Sequence, residues 1–85
     1  MYYVYVLKSE KDSTFYIGST NNLKRRFSEH NSGKVFSTKK RMPFKIIYYE
    51  AYKSGADARR RESNLKLRSR AFAQLRGRIE RSAST

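Results

Sequence analysis

The length of the chain limits its fold more than any other feature of the sequence. With 85 residues, the chain has room for one small core, so residues 1–85 are predicted to form one domain. A chain this short buries only about 60–65% of the surface that its unfolded form exposes. Any functional site must therefore be built from the same few strands and helices that make the core.

Three short runs of aromatic and β-branched residues predict strands. They are Tyr2–Lys8, Thr14–Ser19 and Phe44–Tyr52, the last being the strongest. The first two are joined by a short polar segment, which predicts an antiparallel hairpin. Gly18, near the end of the second run, indicates a bulge or a close approach of the backbone.

The remaining segments predict helices around a basic loop. A helix over Asn22–Ser32 begins at an asparagine N-cap and stops at Gly33. The basic loop Lys34–Pro43 follows, and two further helices are predicted over Gly55–Leu67 and about 69–81. The order ββαβαα predicts an α+β fold, a small three-stranded antiparallel sheet flanked by helices.

The charge balance indicates a polyanionic partner. There are 20 Lys and Arg against 7 Asp and Glu, a net charge of +13, which exceeds what solubility requires. A solvated basic face is the alternative, but phosphate contact explains the concentration of charge better. The basic loop has Lys39, Lys40 and Arg41 at its centre. Lys24 and Arg25 are expected to be solvated, with at most a weak phosphate role.

The composition also excludes several classes of protein. No cysteine is present, which excludes a disulfide framework, a zinc ribbon and thiol catalysis. A single histidine excludes a histidine-rich metal site. No apolar run approaches the roughly 18 residues of a membrane span, and the apolar N-terminal run is too brief for a signal peptide. The expected compartment is the cytoplasm, with no membrane partner.

Glu62 does not fit a plain core. Helical spacing places it on the same face as Ala58 and Leu65, which mark the inward side of their helix. A carboxylate there costs free energy unless a charge meets it. Two interpretations stay open: a buried partner of an arginine, or a ligand of a divalent metal ion such as Mg²⁺, which prefers oxygen donors.

Arg26 and His30 share one face of the first predicted helix, four residues apart. On this face Arg26 is placed to reach an anion over the sheet. His30 has two interpretations: a functional group, or a half-buried histidine that the helix dipole stabilises at the helix end.

Tyr5 and Tyr16 become near neighbours on one side of the sheet if the predicted hairpin forms. Ordinary cross-strand aromatic packing is one interpretation. The other is a pair of phenols beside a cationic site. A metal ion and an arginine would lower the pKa of such a phenol, so that it acts as a general base.

In chain order, these residues resemble the GIY-YIG nuclease family. Tyr3-Val-Tyr5 and Tyr16-Ile-Gly18 are similar to its signature pair, with 11 positions from Tyr5 to Tyr16. Arg26, His30 and Glu62 follow at workable spacing. The resemblance covers roughly residues 2–67. It is strongest to small single-domain members related to the nuclease domain of the nucleotide excision repair incision subunit.

The resemblance implies the catalytic roles. Tyr5, rather than Tyr16, is implied as the base that activates water, and Gly18 as the glycine that lets the backbone turn into the helix. Arg26 is implied to hold the scissile phosphate and His30 to assist proton transfer.

The resemblance also implies a metal ion. Glu62 is implied as the single carboxylate ligand of one Mg²⁺ or Mn²⁺ ion, and Lys66 as a phosphate contact. The first motif begins with Tyr3 instead of glycine, a variation that leaves Tyr5 in place.

The function implied is a metal-dependent endonuclease that hydrolyses DNA, structure-selective or low in sequence specificity, in repair or recombination. The chain lacks the module with which larger members choose a DNA site, so a targeting partner protein is expected. The oligomeric state stays open, as does the substrate: duplex, nicked, branched or single-stranded DNA, or RNA.

Two other functions compete with this one. A non-catalytic nucleic-acid-binding module would use phosphate contacts and stacking alone, and a structural RNA protein would leave the inward Glu62 unexplained. The complete motif set favours the nuclease, because a member that had lost activity is expected to have lost some of these residues.

Overall fold

A computed structural model gives the fold of the chain. It describes the backbone of residues 1–67 and 69–83 and the side chains of residues 1–67 and 72–79. The strands are β1 (Tyr2–Ser9), β2 (Phe15–Thr20) and β3 (Phe44–Tyr52). The helices are α1 (Leu23–Asn31), α2 (Gly55–Leu67) and α3 (Ser69–Ala83). The predicted α+β class and the order ββαβαα are confirmed.

The central strand of the sheet is β1. The strand order is β2-β1-β3, and both pairs are antiparallel. The predicted hairpin is confirmed, with Tyr5 opposite Gly18 and Leu7 opposite Tyr16. Within the described residues β2 therefore lies at an edge of the sheet, with β1 as its only neighbouring strand.

Successive residues of β1 are buried on opposite faces of the sheet. Val4 and Val6 pack on the side of α2 and α3, with Ala58, Leu65 and Leu75. Tyr5 and Leu7 pack on the other side with Phe44, against Leu23 and Phe27 of α1. The sheet thus separates α1 from α2 and α3.

Both ends of α1 follow the predicted capping residues, and a serine caps the start of α2. The Asn22 side chain accepts a hydrogen bond from the Arg25 backbone N–H, and Gly33, at φ +77°, ends α1 in the left-handed region. The Ser54 hydroxyl accepts from the Asp57 backbone N–H at the start of α2. The predicted basic loop contains one short turn of 3₁₀ helix, Lys39–Arg41.

The expected role of Gly18 needs correction. The residue lies inside β2 and not at a turn into α1, which begins at Leu23. A Cβ atom at this position would lie 2.6 Å from Cζ of Tyr5 and even nearer to its hydroxyl. Glycine is therefore needed because the ring of Tyr5 lies over it, a close approach of the kind that the sequence indicated.

A polar cluster joins α2 to β3. Nε and Nη2 of Arg61 donate to the Glu50 carboxylate at 3.0 and 3.1 Å, and the hydroxyls of Tyr48 and Tyr52 donate to it at 2.6 Å each. Burial opposes ionisation, but these donors lower the pKa of Glu50. Because Arg61 precedes Glu62, the cluster also holds the part of α2 that carries Glu62.

Replacing Glu50 by alanine should lower the free energy of unfolding by about 2 kcal/mol, because Arg61 and two hydroxyls lose their acceptor. Glu10→Ala is the matched control, since Glu10 pairs with Lys45 at 3.4 Å on the exposed surface and should cost under about 0.5 kcal/mol. Denaturant unfolding at pH 7 measures both. Equal losses in the two variants would contradict the structural role of the cluster.

Candidate functional site

Tyr5 lies at the centre of the candidate site. Its hydroxyl is 2.9 Å from Nε2 of His30, and its ring centroid is 6.4 Å from that of Tyr16. The rings of Tyr16 and His30 are 4.9 Å apart. The prediction that the two tyrosines are neighbours on one side of the sheet is thereby confirmed, and His30 of α1 faces them.

The contacts of His30 favour one position for its proton. The Thr38 hydroxyl is within 3.4 Å of the backbone carbonyl of Val35, to which it can donate, and its oxygen is 2.8 Å from Nδ1 of His30. A neutral imidazole carries one N–H, and we infer from these contacts that it is on Nδ1. In this tautomer Nε2 is the acceptor of the Tyr5 hydroxyl.

Burial keeps His30 neutral. The side chain is 0% exposed. One interpretation of the sequence expected a half-buried histidine, so the burial is more complete than that interpretation expected. Desolvation, with the nearby positive charge of Arg26, lowers the pKa of His30 to about 4. Near pH 7 the ring is therefore uncharged, and its Nε2 lone pair is available to a proton.

The pKa of Tyr5 is raised, although the sequence indicated a phenol of lowered pKa. Burial raises the pKa of Tyr5 to about 12, although Arg26 acts in the opposite direction. The sequence interpretation invoked an arginine and a metal ion to lower this pKa, and Arg26 does act in that direction. Tyr5 is protonated near pH 7, and it needs an acceptor for its own proton before it takes another.

Arg26, which is also on α1, lies near both Tyr5 and His30. Its side chain is 37% exposed, and Nη1 donates to Glu29 at 3.2 Å. The guanidinium is close enough to Tyr5 to stabilise a negative charge on its oxygen. It is thus partly open to solvent and lies beside the phenol.

Glu62 approaches the site from the other face of the sheet, around the edge strand β2. One oxygen accepts from the Ser19 hydroxyl at 2.5 Å, and the other accepts from Nζ of Lys66 at 2.6 Å. The sequence left open an arginine as its partner; among the side chains that the structure describes, the cation that Glu62 pairs with is Lys66, one helical turn on. Ala58 and Leu65 are buried beside it, as predicted.

Lys66 connects the two halves of the site. Its Nζ lies 5.8 Å from the centroid of the Tyr16 ring, while it also pairs with Glu62. The Lys66 side chain is 45% exposed, and an exposed i,i+4 pair of this kind contributes little free energy. It can therefore release Glu62 at little cost.

The donor set around Glu62 fits Mg²⁺ or Mn²⁺ held by one carboxylate. Such ions accept a single protein carboxylate when water and substrate oxygens complete the shell. No group of three or more His, Cys, Asp or Glu side chains that could form a closed metal cage occurs in the described part of the chain. Glu62 supplies one carboxylate at the edge strand β2, where it accepts from Ser19.

The other predicted phosphate-binding residues lie on the surface of the first helix and of the basic loop. The side chains of Lys24, Arg25, Lys39 and Lys40 are exposed. Arg41 is only half-exposed, and its guanidinium donates to the Thr14 hydroxyl at 3.1 Å, so it also ties the basic loop to the hairpin.

Two residues of the site carried no signal in the sequence. Thr38 lies in a loop without a helical or strand period, yet it is 0% exposed and orients His30. The sequence shows Ser19 as an ordinary strand residue, yet its hydroxyl donates to Glu62 at 2.5 Å.

No helix within the described ranges, residues 1–67 and 69–83, is long and apolar enough to cross a membrane.

The chain is similar to proteins of one family. The model of the GIY-YIG catalytic domain matches residues 1–76. A UPF0213 protein of Limosilactobacillus reuteri is 48% identical over 60 residues, which cover 67% of this chain and 62% of that protein. A UPF0213 protein of Staphylococcus haemolyticus is 41% identical over 70 residues, covering 81% of this chain and 84% of that one.

A solved structure is also similar. The solution NMR structure of a UPF0213 protein of Bacillus halodurans matches with a TM-score of 0.57 and 35% identity. The match covers 91% of this chain and 84% of that one.

The buried, neutral His30 predicts a pH-dependent stability. Because its pKa is about 4 when folded and 6.5 ordinarily, the unfolded chain binds the extra proton as pH falls below 6.5. The free energy of unfolding should therefore drop by about 2 kcal/mol between pH 7 and pH 5. The measurement is denaturant unfolding at both pH values, compared with His30→Gln. A difference between the two proteins that is independent of pH would refute the buried neutral state.

Thr38→Val should change the tautomer of His30, because valine has the same shape and offers no acceptor to Nδ1–H. The ¹⁵N chemical shifts of the ring should show the proton on Nδ1 in the native chain and a mixture of tautomers in the variant. Thr38→Ser keeps the hydroxyl and should keep the native tautomer. An unchanged tautomer in Thr38→Val would show that Thr38 does not orient the ring.

Proposed function

Because this chain belongs to the GIY-YIG family, we propose that it is an endonuclease that hydrolyses phosphodiester bonds of DNA with the help of a divalent metal ion. One observation carries the proposal: the buried hydroxyl of Tyr5 lies 2.9 Å from Nε2 of a neutral His30. The guanidinium of Arg26 lies close enough to this phenol to lower its pKa. Glu62 lies at the neighbouring edge strand, where it accepts from Ser19, so a carboxylate for a metal ion is available beside the acid–base pair.

The substrate phosphate would lie over Tyr5 and Tyr16 and beside α1. Arg26 is the cation that lies above Tyr5 and is partly open to solvent. A preorganised guanidinium stabilises the extra negative charge that develops on phosphorus-bound oxygens in the transition state. The exposed lysines around the site would follow the DNA backbone independently of sequence.

The proton of the attacking water would pass through Tyr5. As the water oxygen forms its bond to phosphorus and the bond from phosphorus to the leaving 3′ oxygen breaks, the water proton goes to the Tyr5 oxygen, and the phenolic proton goes to Nε2 of His30 along the existing 2.9 Å contact. This exchange avoids a free phenolate, which burial disfavours. The leaving oxygen takes a proton from solvent water and becomes a hydroxyl. His30 then carries a positive charge beside the phosphate, where an anion stabilises it.

Glu62 would hold the divalent ion, with Lys66 released toward the substrate. When bound, such an ion supplies Lewis-acid stabilisation of a phosphate oxygen and of the leaving oxygen. Ser19 would keep one oxygen of Glu62 oriented through its hydrogen bond. Lys66, already near Tyr16, would then be free to contact a phosphate.

The wider expectations from the sequence stay predictions. They comprise a role in DNA repair or recombination, a targeting partner protein, a cytoplasmic location, and one domain over residues 1–85. The oligomeric state is left open.

Cleavage of supercoiled plasmid at low salt tests the proposal. The native chain should nick the plasmid with Mg²⁺ or Mn²⁺ and stop when a chelator is added. Glu62→Gln should reduce the rate on the order of a hundredfold or more, since it removes the metal-binding charge, while DNA binding is kept. Glu10→Gln, which removes an exposed carboxylate outside the site, should leave the rate unchanged.

Two results would overturn parts of this proposal. A fully active Glu62→Gln variant would remove the metal role from Glu62. Salt-sensitive DNA binding by the native chain without any nicking would favour the alternative function, a non-catalytic nucleic-acid-binding module.

A further inference from the structure

Phe36 is exposed in a way that the core does not explain. It is 85% exposed, more than any other large hydrophobic side chain in the described part of the chain. It is not part of either hydrophobic cluster. A single exposed apolar residue is common on protein surfaces, so its meaning depends on how the residue is held and on what surrounds it.

The loop that carries Phe36 is fixed on both sides of it. Val35 is 8% exposed and Thr38 is 0% exposed, and the Thr38 backbone N–H donates to the Val35 carbonyl at 3.1 Å. This turn directs two residues inward and leaves Phe36 outside. The ring is thus held outward before any partner binds, which lowers the entropy cost of stacking.

The surroundings of Phe36 are cationic. Nζ of Lys39 lies 4.9 Å from the centroid of its ring, and Lys34 and Lys40 are exposed in the same loop. An aromatic ring among exposed cations is the arrangement that binds nucleic acid, with the cations on phosphates and the ring on a base.

The loop is also attached to the candidate active site. Thr38, two residues from Phe36, is the group that orients His30, and His30 contacts Tyr5. Two residues span at most about 7 Å of backbone. Phe36 therefore lies close to the reaction centre, within a few nucleotides of any phosphate bound over Tyr5.

We propose that Phe36 stacks on an unpaired base of the DNA near the cleaved phosphate, so that the substrate is DNA with an interrupted or single-stranded region. In a continuous duplex both faces of each internal base are already stacked, and such a ring would have to unstack a step to gain contact. A gap, flap or single strand offers a free base face. This inference rests on the proposed function, since it names the substrate class of the same site.

Binding measurements without cleavage test the inference. The probes are a continuous duplex, the same duplex with a short single-stranded gap, and the single strand, each labelled for fluorescence anisotropy without metal and in a Glu62→Gln background. Phe36→Ala should weaken binding to the gapped and single-stranded probes about tenfold, with less than about a twofold change on the continuous duplex. Phe36→Trp should restore the binding.

Leu67→Ala is the matched control, because Leu67 is 83% exposed and lies on α2 instead of the basic loop. It should leave all three affinities unchanged. An equal effect of Phe36→Ala on all probes, no effect on any of them, or an absence of DNA binding would overturn the inference.

The cleavage assay separates this inference from the proposed function. If the native chain cuts DNA and Phe36→Ala keeps its affinity for gapped DNA, the stacking role fails and the nuclease stands. If nothing is cut but the selective loss of binding is seen, the nuclease fails and the stacking role stands.

Discussion

The hydrogen bond from the buried Tyr5 hydroxyl to His30 is the interaction on which the candidate site depends. It requires space for the Tyr5 ring, which Gly18 provides by having no side chain. It requires a neutral imidazole with a free Nε2, which burial and the Thr38 hydroxyl provide. Every buried side-chain nitrogen and oxygen in the described residues has a hydrogen-bond partner, so the polar groups under the sheet form a satisfied network and not a defect.

The position of β2 at the sheet edge explains how so small a chain assembles a site. On the face of the sheet toward α1, Tyr5 and Tyr16 contact His30 of that helix, while α2 packs on the opposite face. Groups on opposite faces meet only where the sheet ends. At β2 the carboxylate of Glu62 reaches Ser19, and Lys66 reaches the ring of Tyr16. The core therefore ends at this edge of the sheet, and the candidate reacting groups from both faces are accessible there.

The sequence predicted what local periodicity determines. The alternation in β1, the spacing of Ala58, Glu62 and Leu65, and the capping residue Asn22 are local patterns, and the structure follows each of them. Thr38 was not predicted because its contact with His30 depends on how a loop folds back over a helix. The raised pKa of Tyr5 was missed for a related reason, since burial is a property of the assembled fold and the sequence indicated only the neighbouring charge.

The most direct test of the account is the single-turnover rate of DNA cleavage by Tyr5→Phe, which removes one oxygen atom from the centre of the site. Tyr3→Phe is the matched control, because Tyr3 lies on the same strand but packs against Tyr49, with ring centroids 6.1 Å apart. The account predicts that Tyr5→Phe loses on the order of a hundredfold or more in rate at unchanged DNA affinity, while Tyr3→Phe cleaves normally. A Tyr5→Phe variant that cleaves at the native rate would contradict it.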